Sequence, residues 1–176
     1  MLIPTTPRLD AAEQAFVDDL IASRSGRPGA LLGILEAVQE HNRHKYLPRE
    51  TLEYVATKTG TPLARVWSVA TFYSLVNLEA QGDHTVSICR GTACHTRGSR
   101  NLLQRARVEL GLGLDDISED EKIQLTTGDR KFTVRTVACF GQCAMAPVVE
   151  VDHRICGHVN ERTLHRELDA VARESD

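Results

Sequence analysis

Two short stretches, "CRGTACHTRGS" at 89–99 and "CFGQCAMAP" at 139–147, carry four of the five cysteines in this 176-residue chain. They form a C-x4-C pair and a C-x3-C pair, with 44 residues between Cys94 and Cys139. Either pair is close enough to grip one metal ion, but an ion bound by thiolates ordinarily takes four ligands. Any fold for this chain that uses all four must bring two remote loops together. Each pair falls where strand-like sequence gives way to a loop, so neighbouring strands of a small sheet would deliver both loops to one end. Three chemistries remain open. A structural zinc site suits four cysteines, although zinc ribbons usually offer C-x2-C knuckles. Disulfides suit an oxidising compartment, for which the sequence gives no sign. A [2Fe–2S] cluster has two irons, each taking two thiolates, and tolerates wider spacings such as C-x4-C. Gly91, Gly98 and Gly141 would let backbone approach such a group closely.

Composition excludes several alternatives. Hydrophobic residues make up 41% and charged residues 26%, as in a globular chain with a real core. The net charge is −3, and dividing the chain at residue 80 gives 8 basic and 9 acidic residues before, 13 and 15 after. Neither half offers a basic surface for nucleic acid or anionic lipid. No run of about 18 apolar residues is present, so no membrane-spanning helix is expected. The opening "MLIPTTPRLD" does not read as a signal peptide, and a cytoplasmic location is expected.

The first 80 residues read as four helices. "LDAAEQAFVDDLIASR" puts Phe16, Val17 and Leu20 on one face, and "RPG" at 27–29 interrupts it. "ALLGILEAVQEHN" lines up Leu31, Ile34, Leu35 and Val38. "YLPRETLEYVATKTG" has Pro48 in its first turn, Leu52, Val55 and Ala56 as a face, and Gly60 as its stop. "TPLARVWSVATFYSLV" opens with Thr61 as N-cap and Pro62 as first helical residue. After a polar join containing Gly82, the pattern changes to strand ("HTVSICR"), helix ("SRNLLQRARVELGLG"), two strands about a Gly-Asp turn ("KIQLTTGDRKFTVRTVAC"), a hairpin turning near Asp152–His153, and a closing helix capped by Asn160. The expected order is β-α-β-β-β-β-α, and Phe132, Val134 and Thr136 share a face.

The two cysteine motifs resemble those of the 24 kDa-type [2Fe–2S] subunit of NADH dehydrogenase, respiratory complex I. Asp129, Phe132, Thr133, Cys139, Gly141, Cys143, Ala146 and Pro147 fall at that family's spacing. Phe140 departs, since Leu or Val is usual there. "VWSVATFYS" resembles the family's "VYGVATFYS", with Trp67 and Ser68 as departures. The likeness runs from about residue 28 to 170. The departures leave the four cysteines untouched, so they bear on subfamily and not on the cluster. The resemblance implies an α+β chain: a small helical bundle over 1–82, then a thioredoxin-like [2Fe–2S] ferredoxin domain over 83–176. It implies one [2Fe–2S] cluster, with Cys89 and Cys94 on one iron and Cys139 and Cys143 on the other. It also implies an electron-transfer role without substrate chemistry on this chain, as the iron–sulfur subunit of an NADH-dependent oxidoreductase. The partners would be an NADH-binding flavoprotein carrying FMN, and further iron–sulfur subunits. The same module occurs in NAD-dependent formate dehydrogenases and in bidirectional or electron-bifurcating hydrogenases.

The remaining residues read more plainly. Cys156 sits in a short strand and reads as a small buried hydrophobe. His95, beside Cys94, reads either as a tuning group or as a solvent-facing loop residue. His41 and His44, three apart on a helix, read as surface. Trp67, Phe72 and Tyr73 read as packing of the helical part or as a subunit contact. "GLGLDD" lacks G-x-G-x-x-G and reads as a helix stop, and no P-loop occurs, so no dinucleotide site is expected here and the hydride chemistry that the resemblance implies would lie on a partner. A zinc-stabilised interaction module is the rival from another class. A thiol–disulfide protein would want C-x-x-C, which is absent.

Overall fold

The computed structural model describes residues 9–113 and 123–174. The chain separates into two compact units, 1–80 and 81–176.

Unit 1 holds four helices: α1 (Ala11–Arg24), α2 (Ala30–His41), α3 (Arg49–Thr59) and α4 (Leu63–Phe72). Asp10 starts α1 with a capping box: its carboxylate accepts from the Glu13 amide at 2.7 Å while Glu13 reaches back to the Asp10 amide. Gly26 and Gly29, both at positive φ, turn the chain between α1 and α2. Gly60 ends α3 in the left-handed conformation expected of it. Val17, Ile34, Leu35, Val38, Leu52, Val55 and Val66 make the core of this unit.

Three local expectations are corrected. Pro62 caps α4 in place of Thr61, whose hydroxyl instead meets that of Thr59 at 2.9 Å. The α4 helix stops at Phe72, short of Val76. Buried Gln39 explains this: it donates to the Leu75 carbonyl at 2.9 Å and accepts from the Asn77 amide at 2.6 Å, holding the chain out of the helix. His44 lies past the end of α2, so it does not share a helix face with His41, whose ring stacks on Phe16.

Unit 2 contains β1 (His84–Cys89), α5 (Thr92–Thr96), α6 (Ser99–Glu109), β2 (Gln124–Thr126), β3 (Phe132–Val137), β4 (Val149–Val151), β5 (Arg154–Cys156) and α7 (Glu161–Glu174). One 3-10 turn covers Cys143–Met145. The sheet order is β2-β3-β1-β4-β5, with β1 and β3 parallel and the other pairs antiparallel. Val86 stands opposite Val134 on one side and Val151 on the other, and Ile88 opposite Val149. These residues face the core with Leu102, Leu103 and Ala106 of α6 and Leu164, Leu168 and Val171 of α7. A parallel pair needs a long crossover, and α5–α6 supplies it.

Caps and turns follow the sequence. Gly111 at φ +65 closes α6 in a Schellman arrangement: Leu112 donates to Arg107 O at 2.8 Å and Gly111 to Val108 O at 3.3 Å. The acidic end of "GLGLDD" and Lys122 lie outside the described residues. Asp129 accepts from the Thr127 hydroxyl and the Lys131 amide, fixing the β2–β3 turn. Asp152 and His153, both at positive φ, form the two-residue β4–β5 turn. Asn160 caps α7 through the Thr163 amide at 3.0 Å. Gly82 leads into β1 against the Phe132 backbone. A Cβ there would lie 2.6–2.9 Å from three Phe132 main-chain atoms.

Candidate metal centre

Parallel pairing places the cysteine pairs. Cys89 is the last residue of β1 and pairs in register with Val137, the last of β3, so Cys139 follows two residues beyond the same end of the sheet. Cys94 lies on α5, and Cys143 opens the 3-10 turn. Cys89 and Cys94 are each 2% exposed and pack with Ala146 and Val148 in a small apolar cluster of their own. Cys139 and Cys143 are solvent-exposed. The four side chains therefore form an inner pair and an outer pair.

Backbone donors surround them. Burial lifts the Cys89 thiol, but the amides of Gly91 and Phe140 and the adjoining Cys94 and Cys139 side chains outweigh it and hold the group below its ordinary value. Burial and then the neighbouring Cys89 push Cys94 up, against the opposing Val148 amide. The Cys139 side chain, then its charge, raise Cys143. The Gly141 amide donates to Cys139 Sγ at 3.2 Å. Amides aimed at thiolate sulfur are the means by which a protein stabilises that charge and tunes an attached metal group.

Gly91 lets the two loops come close: a Cβ there would press on Cys139 Sγ at 3.3 Å and on the Ala138 carbonyl at 3.2 Å. Gly141 is at φ +77, which favours glycine. Gly98 does not line the site. Its φ of +94 opens α6, and nothing lies within 4 Å of an added Cβ. The second loop is clamped from below. His158 donates to the Met145 carbonyl at 2.7 Å, Val159 to Pro147 at 3.1 Å, and Arg97 to Ala146 at 3.2 Å. Gly157 leaves room for Met145, whose Cε would be 2.6 Å from a Cβ there. The donors at Phe140 and Val148 and this clamp carry no signal in side-chain type, because backbone groups do the bonding.

Cys156 lies apart on β5, partly buried against the main core, and burial raises its thiol. His95 is exposed on α5. Among the described residues, three ligand atoms lie mutually within 4.8 Å only at Glu109, His165 and Asp169. There the two carboxylates approach opposite nitrogens of one ring, Glu109 at Nδ1 and Asp169 at Nε2, which suits an imidazolium bridge between α6 and α7. The cysteine sulfurs do not form a second such group. A tetrahedral zinc with Zn–S near 2.3 Å would need them all about 3.8 Å apart. Cys89 adjoins both Cys94 and Cys139, and Cys139 adjoins Cys143. Four thiols spread in this way, with amides directed at the sulfurs, fit the two irons of a [2Fe–2S] group.

A small mixed sheet under two helices, with paired cysteines at the end of parallel strands, defines a class of metal-carrying domain. The model of the thioredoxin-like [2Fe–2S] ferredoxin family matches residues 17–172, and the chain belongs to that family. It is 31% identical over 149 residues to an NADH-quinone oxidoreductase subunit of Rickettsia felis, covering 85% of this chain and 83% of that one. It is also 31% identical over 143 residues to the NADP-reducing hydrogenase subunit HndA of Solidesulfovibrio fructosivorans, covering 81% and 77%. An air-oxidised NAD+-reducing [NiFe]-hydrogenase has the same fold at TM-score 0.62 and 16% identity, over 84% of this chain and 23% of the hydrogenase chain. The α+β fold and the likeness to complex I subunits expected from the motifs are both found. No helix among the described residues is long and apolar enough to cross a membrane.

Proposed function

We propose that this chain is the electron-transfer subunit of an NADH-dependent oxidoreductase complex, with residues 1–82 as a helical docking domain and 83–176 as the cluster domain. Cys89 and Cys94 would hold one iron of a [2Fe–2S] cluster, and Cys139 and Cys143 the other. When bound, such a cluster supplies a one-electron carrier. The protein's part is to ligate it, bury one side and aim amides at the sulfurs. The observation that carries this reading is the asymmetry of the four cysteines: two are 2% exposed, and two open to solvent. A carrier needs a rigid anchor and a surface close to its redox partner, and the inner and outer pairs provide these in turn. The outer loop is small-sided, with exposed Gly141 and Ala144 beside Cys143, which suits close approach of a partner backbone. That partner would be a flavoprotein carrying FMN and NAD(H), with further iron–sulfur subunits beyond it, on the cytoplasmic side of any membrane. The equal identity to a hydrogenase subunit favours a second reading, the corresponding subunit of a hydrogenase, which uses the same site.

Anaerobically purified protein is expected to be reddish-brown, to contain iron and sulfide in equal amounts, and to be reduced by NADH only when the flavoprotein is added. A colourless protein holding zinc would replace this reading with the zinc-stabilised module.

A further inference from the structure

The helical unit carries an open groove of about 540 Å³ between the end of α1, the start of α2, the C-terminal end of α3 and the length of α4 from Arg65 to Tyr73. Leu31, Ile34 and Val69 give it an apolar lining, and Tyr73 stands at its side, 39% exposed. Next to Tyr73, Phe72 is 79% exposed, and the two rings meet edge-on at 5.1 Å. The charged lining is of one sign: Arg27, Lys58 and Arg65 border the groove, and no carboxylate does. Lys58 is already neutralised by Asp18 at 2.7 Å. Arg27 and Arg65 have no ion-pair partner among the described residues. The α2 helix begins here at Gly29 without a side-chain cap and without an acidic residue in its first turn. Its positive end therefore adds to the two guanidiniums.

We propose that this groove docks an acidic segment of a partner protein, an apolar side chain seated on its floor and a carboxylate between Arg27 and Arg65. The inference rests on the reading of the chain as a subunit of a larger complex and adds where, and by what chemistry, the helical unit is held. Exposed aromatics beside arginines are the composition of an interface centre. Burying two guanidiniums under a neutral segment would leave both charges unpaired, so the groove selects for carboxylate.

The test uses the cluster-loaded chain and the NADH-binding flavoprotein of its complex. The double variant Arg27→Glu with Arg65→Glu is expected to bind that partner roughly tenfold or more weakly, with iron content and circular dichroism unchanged. In the assembled complex, Tyr73→p-benzoylphenylalanine is expected to photo-cross-link to a segment with Asp or Glu beside an apolar residue. Wild-type affinity in the double variant would overturn the inference. So would a cross-link to a segment without a carboxylate, or to a second copy of this chain. Failure of the wild-type chain itself to associate with the flavoprotein would remove the subunit reading, and the groove's occupant with it.

Discussion

At the scale of single residues, environment separates five chemically identical thiols. Cys89 and Cys94 are buried among Ala146 and Val148, Cys139 and Cys143 open outward, and Cys156 belongs to another part of the sheet. Serine at positions 89, 94, 139 or 143 is expected to remove most of the iron and sulfide bound per chain, whereas Cys156→Ser keeps both. Iron and sulfide assays on the five variants decide it, and full content in any of the first four removes that residue from the ligand set. These cysteines were legible as a group because spacing and chain distance are properties of sequence. Their division into inner and outer pairs was not, since burial depends on Val148 and Ala146 arriving from another segment. Gly91 and Gly98 show the same limit. Both were expected at the site, yet only Gly91 touches Cys139, and Gly98 serves the start of a helix.

At the scale of elements, two features bear weight. Gly82 packs against main chain, where no side chain can rotate away. Gly82→Ala is expected to cost about 2–3 kcal/mol, as overpacking does. Gly60→Ala meets open space and only a positive φ, so about 1 kcal/mol is expected. Urea unfolding of both variants checks the order. The second feature is the α6–α7 bridge, where Glu109, then Asp169, raise His165 above its ordinary 6.5, with Arg105 the opposing charge. A raised histidine contributes fully below about pH 6.5 and loses its contribution as pH rises through the folded value. The melting-temperature advantage of wild type over His165→Gln is therefore expected to be larger near pH 6 than near pH 9. An advantage that grows with pH would show that the imidazolium bridge does not stabilise the pair. Helix existence was readable here from apolar periodicity, as with Leu164, Leu168 and Val171. The end of α4 was not, because it depends on Gln39 of another helix reaching the chain at 75–77.

At the scale of the whole molecule, the two units have separate apolar cores. A cluster bound only by the folded state stabilises the unit that binds it by mass action. Chelating the iron is expected to lower hydrogen-exchange protection over 81–176 well before it affects α1–α4. Equal loss in both units would show that they unfold as one. Sheet order could not be read beforehand. The sequence presents one strand, a helix and then four more strands, and it is the parallel β1–β3 pairing that brings Cys89 and Cys139 to the same end.

The lengths of the strands matter in another way. The central strands β1 and β3 have six residues each, while the edges β2 and β5 have three. Long bare edges invite pairing with other chains and, from there, aggregation. Among the described residues each edge offers only a few backbone groups, and exposed Arg154 puts a charge on β5. Edges this short give another chain little main chain to pair with, so the sheet is poorly suited to growing from one copy into the next.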